Sequence, residues 1–142
     1  MKYRAGYKYQ LFDDEVCRTR IHPGENIVTP FIELNVNGKL KAKAGYAWDG
    51  PSGPTCDSPS AMRGSLFHDC LYQLMREKHI PTNGNRKLAD EVLRDLMRED
   101  GMSRFRSGYW YKAVQLFAKR SSSVGRPILV APRPKGKLLE DK

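Results

Sequence analysis

The chain has few cysteines, no long apolar run and no apolar leader. Its three cysteines, Cys17, Cys56 and Cys70, show no Cys-x-x-Cys spacing. An odd number of cysteines without this spacing disfavours a disulfide framework and indicates a reducing compartment. No stretch approaches the ~20 apolar residues of a membrane span, and the first ten residues are polar and aromatic. We therefore expect a soluble protein made in the cytosol, without a signal peptide or a transmembrane segment.

Acidic residues are in the minority. The 142 residues include 25 Lys and Arg against 16 Asp and Glu, for a formal net charge of +9. The excess lies in residues 61–120 and 121–142. It favours anionic partners such as a phospholipid surface, nucleic acid or an acidic protein, although it also promotes solubility. The basic residues form no long stripe and no recognised motif, so specific nucleic-acid binding is not expected.

Length and residue patterning predict a single α+β domain over residues 1–120. Residues 1–46 have the alternation and turn signals of β hairpins, including Asn37-Gly38, and should form a small antiparallel sheet. Residues 47–57 are a Gly/Pro loop. Residues 58–120 predict a helical core of two long helices and a third helix. Residues 121–142, rich in Ser, Pro and basic residues, predict a basic flexible tail.

A histidine and an aspartate are adjacent within the first predicted helix, at His68 and Asp69. Tyr72 follows one helical turn after His68, so both lie on the flank of the apolar stripe, with Asp69 further round. Such a histidine can serve as a general base beside a metal-binding carboxylate, but a half-buried structural histidine gives the same pattern.

A second carboxylate, Asp90, lies at the margin of the apolar stripe of the second helix. If the two helices pack antiparallel through their stripes, Asp90 can face His68. A carboxylate behind an imidazole fixes its tautomer and stabilises the imidazolium formed by proton abstraction. The alternative is that Asp90 pairs with Arg86 or Arg94, four residues away on either side.

The Gly/Pro loop offers backbone oxygens for a hard cation. Calcium takes six to eight oxygen ligands, many of them carbonyls, and glycine reaches the backbone angles that aim carbonyls at one point. Gly50 and Gly53 could supply them, with Asp69 closing the site and Asp49 as a further ligand. A rigid connector between sheet and helix is the alternative.

Together these segments resemble the phospholipase A2 superfamily. Its members carry a glycine-rich calcium loop, a helix with His-Asp-x-x-Tyr, and a second antiparallel helix whose Asp supports the His. Here the matching segments run from Gly45 to Gly53, from His68 to Tyr72, and through Ala89-Asp90. The loop is most similar to that of the parvovirus capsid phospholipase domain, and the later helices to bacterial and fungal enzymes. The resemblance covers residues 45–120.

The Asp-Gly-Pro-Ser-x-Pro loop before His-Asp-x-Leu-Tyr also resembles a small phage and prophage family of unknown function. This second resemblance implies synthesis in a host cytoplasm and association with a virion, with other virion proteins as partners. Help with membrane passage or lysis is the role that it suggests.

The phospholipase resemblance implies a set of roles. His68 would be the base that activates water, Asp90 would orient it, and Tyr72 would hydrogen-bond Asp90. Asp69 would bind Ca²⁺ with carbonyls from Trp48, Gly50 and Gly53, and the cation would polarise the ester carbonyl. Basic residues with Trp48 and Trp110 would seat the protein on an anionic bilayer.

Two other functions compete with calcium-dependent hydrolysis. A non-catalytic phage virion or host-interaction protein could use the helix pair as a scaffold. An HD-type metal-dependent phosphohydrolase would use His68 and Asp69 as ligands and would need His22 or His79 as a further ligand.

Overall fold

A computed structural model of the chain describes residues 2–4, 9–48, 59–117 and 138–140, with side chains for 9–48 and 60–116. The chain divides into two compact units. The β unit comprises Met1–Gly50 and Leu129–Lys142, and the helical unit comprises Pro51–Ile128. Antiparallel strands followed by three helices confirm the predicted α+β class.

Eight short strands form two four-stranded sheets within the described part of the β unit. The first sheet has the order β7-β2-β1-β8 and the second β3-β6-β5-β4, and neighbouring strands run antiparallel. The strands are β1 (Lys2–Arg4), β2 (Tyr9–Leu11), β3 (Glu15–Arg18), β4 (Ile27–Val28), β5 (Ile32–Leu34), β6 (Lys39–Ala42), β7 (Ala47–Trp48) and β8 (Leu138–Glu140).

Alternating apolar side chains hold the second sheet together. The register pairs Ile32 with Ala42 and Leu34 with Leu40, and these four side chains are buried. The turn between β5 and β6 contains Gly38 at φ +87°, where a Cβ would come within 2.5 Å of a backbone oxygen. Only glycine fits there, which explains the hairpin signal in the sequence.

Two segments differ from their predicted boundaries. Ala47–Trp48, at the start of the predicted loop, form β7. Leu138–Glu140, within the predicted flexible tail, form β8 and pair with β1.

Three helices make up the described part of the helical unit: α1 (Pro59–Arg76), α2 (Asn85–Glu99) and α3 (Arg104–Phe117). The start of α1 at Pro59 agrees with the predicted start of the helical core at residue 58, and Gly101 follows the C-cap residue of α2. Gly101 lies at φ +103°, and the Met102 and Gly101 amides donate to the carbonyls of Met97 and Arg98, which is the Schellman arrangement. In the residues described, no helix has the length and apolar character needed to cross a membrane.

The α1 and α2 helices pack antiparallel. Near the start of α1, Arg63 donates hydrogen bonds to Asp100 and Glu99 at the end of α2. One position later, a Cβ on Gly64 would lie 3.0 Å from Leu93 Cδ1 and 3.1 Å from the Leu93 carbonyl. The absent side chain lets the helices approach closely, which brings the next turns of α1 against the middle of α2.

Candidate active site

His68 and Tyr72 project from α1 one turn apart and meet the same carboxylate of α2. His68 Nε2 lies 2.7 Å from Asp90 Oδ1, and the Tyr72 hydroxyl donates to that oxygen, also at 2.7 Å. The two rings are stacked at a tilt, with centroids 4.3 Å apart. The predicted contacts from Asp90 to His68 and to Tyr72 are therefore present. The alternative pairing of Asp90 with Arg86 or Arg94 is not found among the described residues, and Arg94 Nε donates to Asp95 instead.

The three side chains are deeply buried. Asp90 is completely inaccessible, Tyr72 is 2% exposed and His68 is 5% exposed. Asp90 Oδ2 has no hydrogen-bond partner among the described residues, so both polar contacts of this carboxylate fall on Oδ1. A buried carboxylate with so few donors is a strong acceptor for any proton placed on His68.

Burial and negative charge act on the pKa of His68 in opposite directions. Burial disfavours the imidazolium and lowers the pKa, but the neighbouring carboxylates of Asp69 and Asp90 outweigh it, so the net shift is upward. Burial, reinforced by the charge of Asp90, raises the pKa of the Tyr72 phenol. Tyr72 therefore stays protonated and acts as a hydrogen-bond donor.

The opposite nitrogen of His68 faces the second aspartate. His68 Nδ1 lies 3.9 Å from Asp69 Oδ1, too far for a hydrogen bond but close enough for electrostatic attraction. The Asp69 side chain is 34% exposed, whereas that of His68 is 7% exposed. The site thus has a closed side at Asp90 and a more accessible side at Asp69.

The predicted metal ligands are only partly described by the structure. Asp49, Gly50 and Gly53 lie outside the described residues. Trp48 ends β7 in the β unit, whereas Asp69 belongs to the helical unit. The described residues contain no cluster of three or more His, Cys, Asp or Glu side chains around a common point. A set of one carboxylate and several backbone carbonyls would not form such a cluster.

The two histidines named for the HD-type alternative, His22 and His79, have contacts of their own. His22 is exposed in the β unit, with Nδ1 3.2 Å from the Val36 carbonyl. His79 follows α1 and lies 3.4 Å from Glu77. The Nε2 atom of His68 is already engaged by Asp90. Among the described residues, no further histidine joins His68 and Asp69 in a cluster that could hold a metal ion.

Comparison of the chain with family models, curated proteins and solved structures finds no match.

Some contributors to the site were not predicted from the sequence. Gly64 permits the close approach of α1 and α2, and Arg63 fixes the ends of the two helices. Gly64 precedes His68 by four residues, and a glycine inside an apolar helical pattern is the sequence signal for a close helix contact. The pairing of Arg63 joins residues far apart in the chain, so no local pattern could have indicated it.

The two tryptophans predicted to lie at a membrane surface are buried in the structure. Trp48 and Trp110 are 2% and 1% exposed. Their size and apolar area place them in protein interiors here, so their assignment to an interfacial role is wrong.

Proposed function

We propose that this chain is a phage-derived, phospholipase A2-like hydrolase that cleaves phospholipid esters with the help of calcium. One observation carries the proposal: a fully buried Asp90 receives both His68 Nε2 and the Tyr72 hydroxyl on one oxygen. A histidine that served only for packing would need no buried carboxylate beside it. Because burying a carboxylate carries a large desolvation cost, the pairing of His68 with Asp90 favours a functional role. The resemblance of the surrounding motifs to phospholipase A2 supports the same function.

The geometry assigns a tautomer to His68. Because Asp90 is an acceptor at Nε2, that nitrogen carries the proton and Nδ1 carries a free electron pair. Nδ1 can then take a proton from a water molecule that attacks an ester carbonyl. The imidazolium formed in this step is stabilised by Asp90, whose position is fixed by the hydroxyl of Tyr72.

Asp69 is suited to hold a hard cation next to this base. Its carboxylate is partly exposed and lies 3.9 Å from His68 Nδ1, and carboxylate oxygen is a preferred ligand of Ca²⁺. We propose the carbonyls of Trp48, Gly50 and Gly53 as further ligands, and the carboxylate of Asp49 as an additional one. When bound, Ca²⁺ would polarise the ester carbonyl and stabilise the oxyanion.

Fatty-acid release from phosphatidylglycerol liposomes tests the proposal. We expect release with calcium and none with a chelator. His68→Gln should lose about 10²–10⁴-fold because it removes the base, and Asp90→Asn should lose up to about 10⁴-fold because it disturbs the tautomer. Asp69→Asn should abolish the release and should weaken calcium binding measured by calorimetry.

Asp95→Asn is the matched control. It makes the same chemical change five residues further along α2, where the carboxylate is 42% exposed and accepts a hydrogen bond from Arg94. We expect near-normal release, since surface ion pairs contribute little. Circular dichroism should first show that each variant is folded. Release that persists in His68→Gln, or that is absent from the wild-type protein, would contradict the proposal and favour a non-catalytic virion or host-interaction protein.

A further inference from the structure

The α3 helix has apolar side chains on two opposite faces. One face is buried in the helical unit through Trp110 and Val114, next to the small polar Ser107. The other carries Phe105, Tyr109 and Leu116, which are 88%, 58% and 77% exposed. Single exposed apolar residues are common on protein surfaces, but three large ones on one helix require an explanation.

Helical geometry places these exposed residues along one line. At ~100° per residue, Phe105, Tyr109 and Leu116 fall within an arc of about 40°, and Lys112 lies on its margin. We call Phe105, Tyr109 and Leu116 the α3 crest. The buried residues lie on the opposite side of the helix, so the packing of the helical unit accounts for one apolar face and leaves the crest unexplained.

The charges beside the crest all have the same sign. The α3 sequence contains Arg104, Arg106 and Lys112 and no acidic residue. These three basic residues are exposed, and the described part of the chain provides no carboxylate partner for their side chains. A ridge of aromatic and aliphatic side chains flanked by exposed cations matches the amphipathic helices that bind membrane interfaces.

The size of the crest favours a lipid surface over a protein partner. Three side chains that are 58–88% exposed offer less area than the roughly 800 Å² that each partner of a stable protein interface buries. A bilayer interface does not need a wide complementary surface, because each apolar side chain inserts independently between headgroups. Arg and Lys beside it gain from the negative surface potential of anionic lipids.

We infer that α3 docks the protein on an anionic phospholipid surface, with Phe105, Tyr109 and Leu116 inserted at the interface and the flanking cations on the headgroups. The inference goes beyond the proposed hydrolysis and does not require it, since it concerns binding alone.

Vesicle co-flotation tests the docking without involving the candidate active site. The full chain would be mixed with vesicles of ether-linked phosphatidylglycerol and phosphatidylcholine, which contain no ester to cleave, in the presence of a chelator. We expect binding, and at least about tenfold weaker binding by the triple variant Phe105→Ser, Tyr109→Ser, Leu116→Ser. Replacing Arg104, Arg106 and Lys112 by Gln should remove the preference for anionic over purely phosphatidylcholine vesicles.

The β unit offers the matched control. Val28 is 69% exposed and Val16 47% exposed, and replacing both by Ser removes exposed apolar area elsewhere on the chain. This variant should bind vesicles like the wild-type protein. Wild-type binding that equals that of the crest variant, or no wild-type binding, would overturn the inference. A dimer in light scattering that the crest substitutions dissociate would also overturn it, because the crest would then bind a second copy.

Discussion

At the scale of single residues, Asp90 connects His68 and Tyr72 through one carboxylate oxygen. It is fully buried, and both of its polar contacts fall on Oδ1. Its position was predictable because it lies at the edge of an apolar stripe, as His68 does. The extent of burial was not, because a stripe margin in sequence shows only which way a side chain points and not what covers it.

Replacing Tyr72 by Phe should destabilise the protein by about 1.5–3 kcal/mol, the range for a hydrogen bond to a charged group. The substitution removes the hydroxyl that donates to Asp90 and leaves His68 as the only described donor. Urea unfolding followed by circular dichroism would measure the loss.

Tyr111→Phe is the control for this change. The Tyr111 hydroxyl accepts a hydrogen bond from Gln115 at 3.2 Å in a partly exposed position on α3. Its removal should cost less than about 1 kcal/mol, because both groups can bond to water instead. Equal losses in the two variants would show that the bond to Asp90 has no special contribution.

At the scale of elements, the sequence predicts α1 and α2 well and their separation poorly. The apolar spacing from Leu66 to Met75 and from Leu88 to Met97 predicted both helices, since it follows a period of 3.6 residues. The distance between the two helices depends on Gly64, which has no side chain to hold them apart. This matters only because Leu93 of α2 lies opposite Gly64, a contact between distant residues that the sequence does not show.

Gly64→Ala should destabilise the helical unit by about 1–3 kcal/mol, the usual range for overpacking. The new methyl group would lie 3.0–3.3 Å from atoms of Leu93 and Met97, and the helices would have to move apart. The contact from His68 to Asp90 should then weaken, which would lower the pKa of His68 in an NMR titration.

Gly108→Ala is the matched substitution on α3. No atom lies within 4 Å of the Cβ that it would add, so only helix propensity should change. We expect a gain of about 0.5–1 kcal/mol and an unchanged pKa of His68. Destabilisation by both substitutions would indicate that the tight contact at Gly64 is not the cause.

The exposed face of α3 shows a limit of sequence patterns at the same scale. Phe105, Tyr109 and Leu116 have the spacing of a buried stripe, and Trp110 and Val114 have the same spacing on the other side. When a helix carries two apolar stripes, its sequence does not tell which one packs. The absence of acidic residues near the stripe of Phe105, Tyr109 and Leu116 was the only available sequence signal that this stripe is the exposed one.

At the scale of the whole molecule, non-local pairing was the part that the sequence did not predict. Asn37-Gly38 predicted a hairpin because the signal is local. The separation into two sheets and the pairing of Leu138–Glu140 with β1 join distant segments, and no short pattern encodes such partners.

The dependence of overall stability on pH follows from the raised pKa of His68. Because the folded protein binds this proton more tightly than the unfolded chain does, the contribution is fully present below the ordinary pKa of ~6.5. It is lost as the pH rises through the higher folded pKa. The stability difference between wild-type protein and His68→Gln should therefore shrink as the pH rises from about 5 to about 9.

Urea unfolding monitored at the helical circular dichroism band would measure this difference. The substitution isolates His68 from groups with the opposite trend, such as Glu33, where a hydrogen bond to Lys43 lowers the pKa. A difference that is constant or grows with pH would contradict the raised pKa.

The pairing of β1 with β8 also bears on how the protein is made. Lys2 pairs with Glu140 and Arg4 with Leu138, so two strands that are far apart in the sequence meet in one sheet. During translation this sheet cannot be completed until residues 138–140 have left the ribosome, whereas all residues of the helical unit emerge earlier. We therefore expect the helices to acquire their structure on the nascent chain while the first sheet still lacks its edge strand.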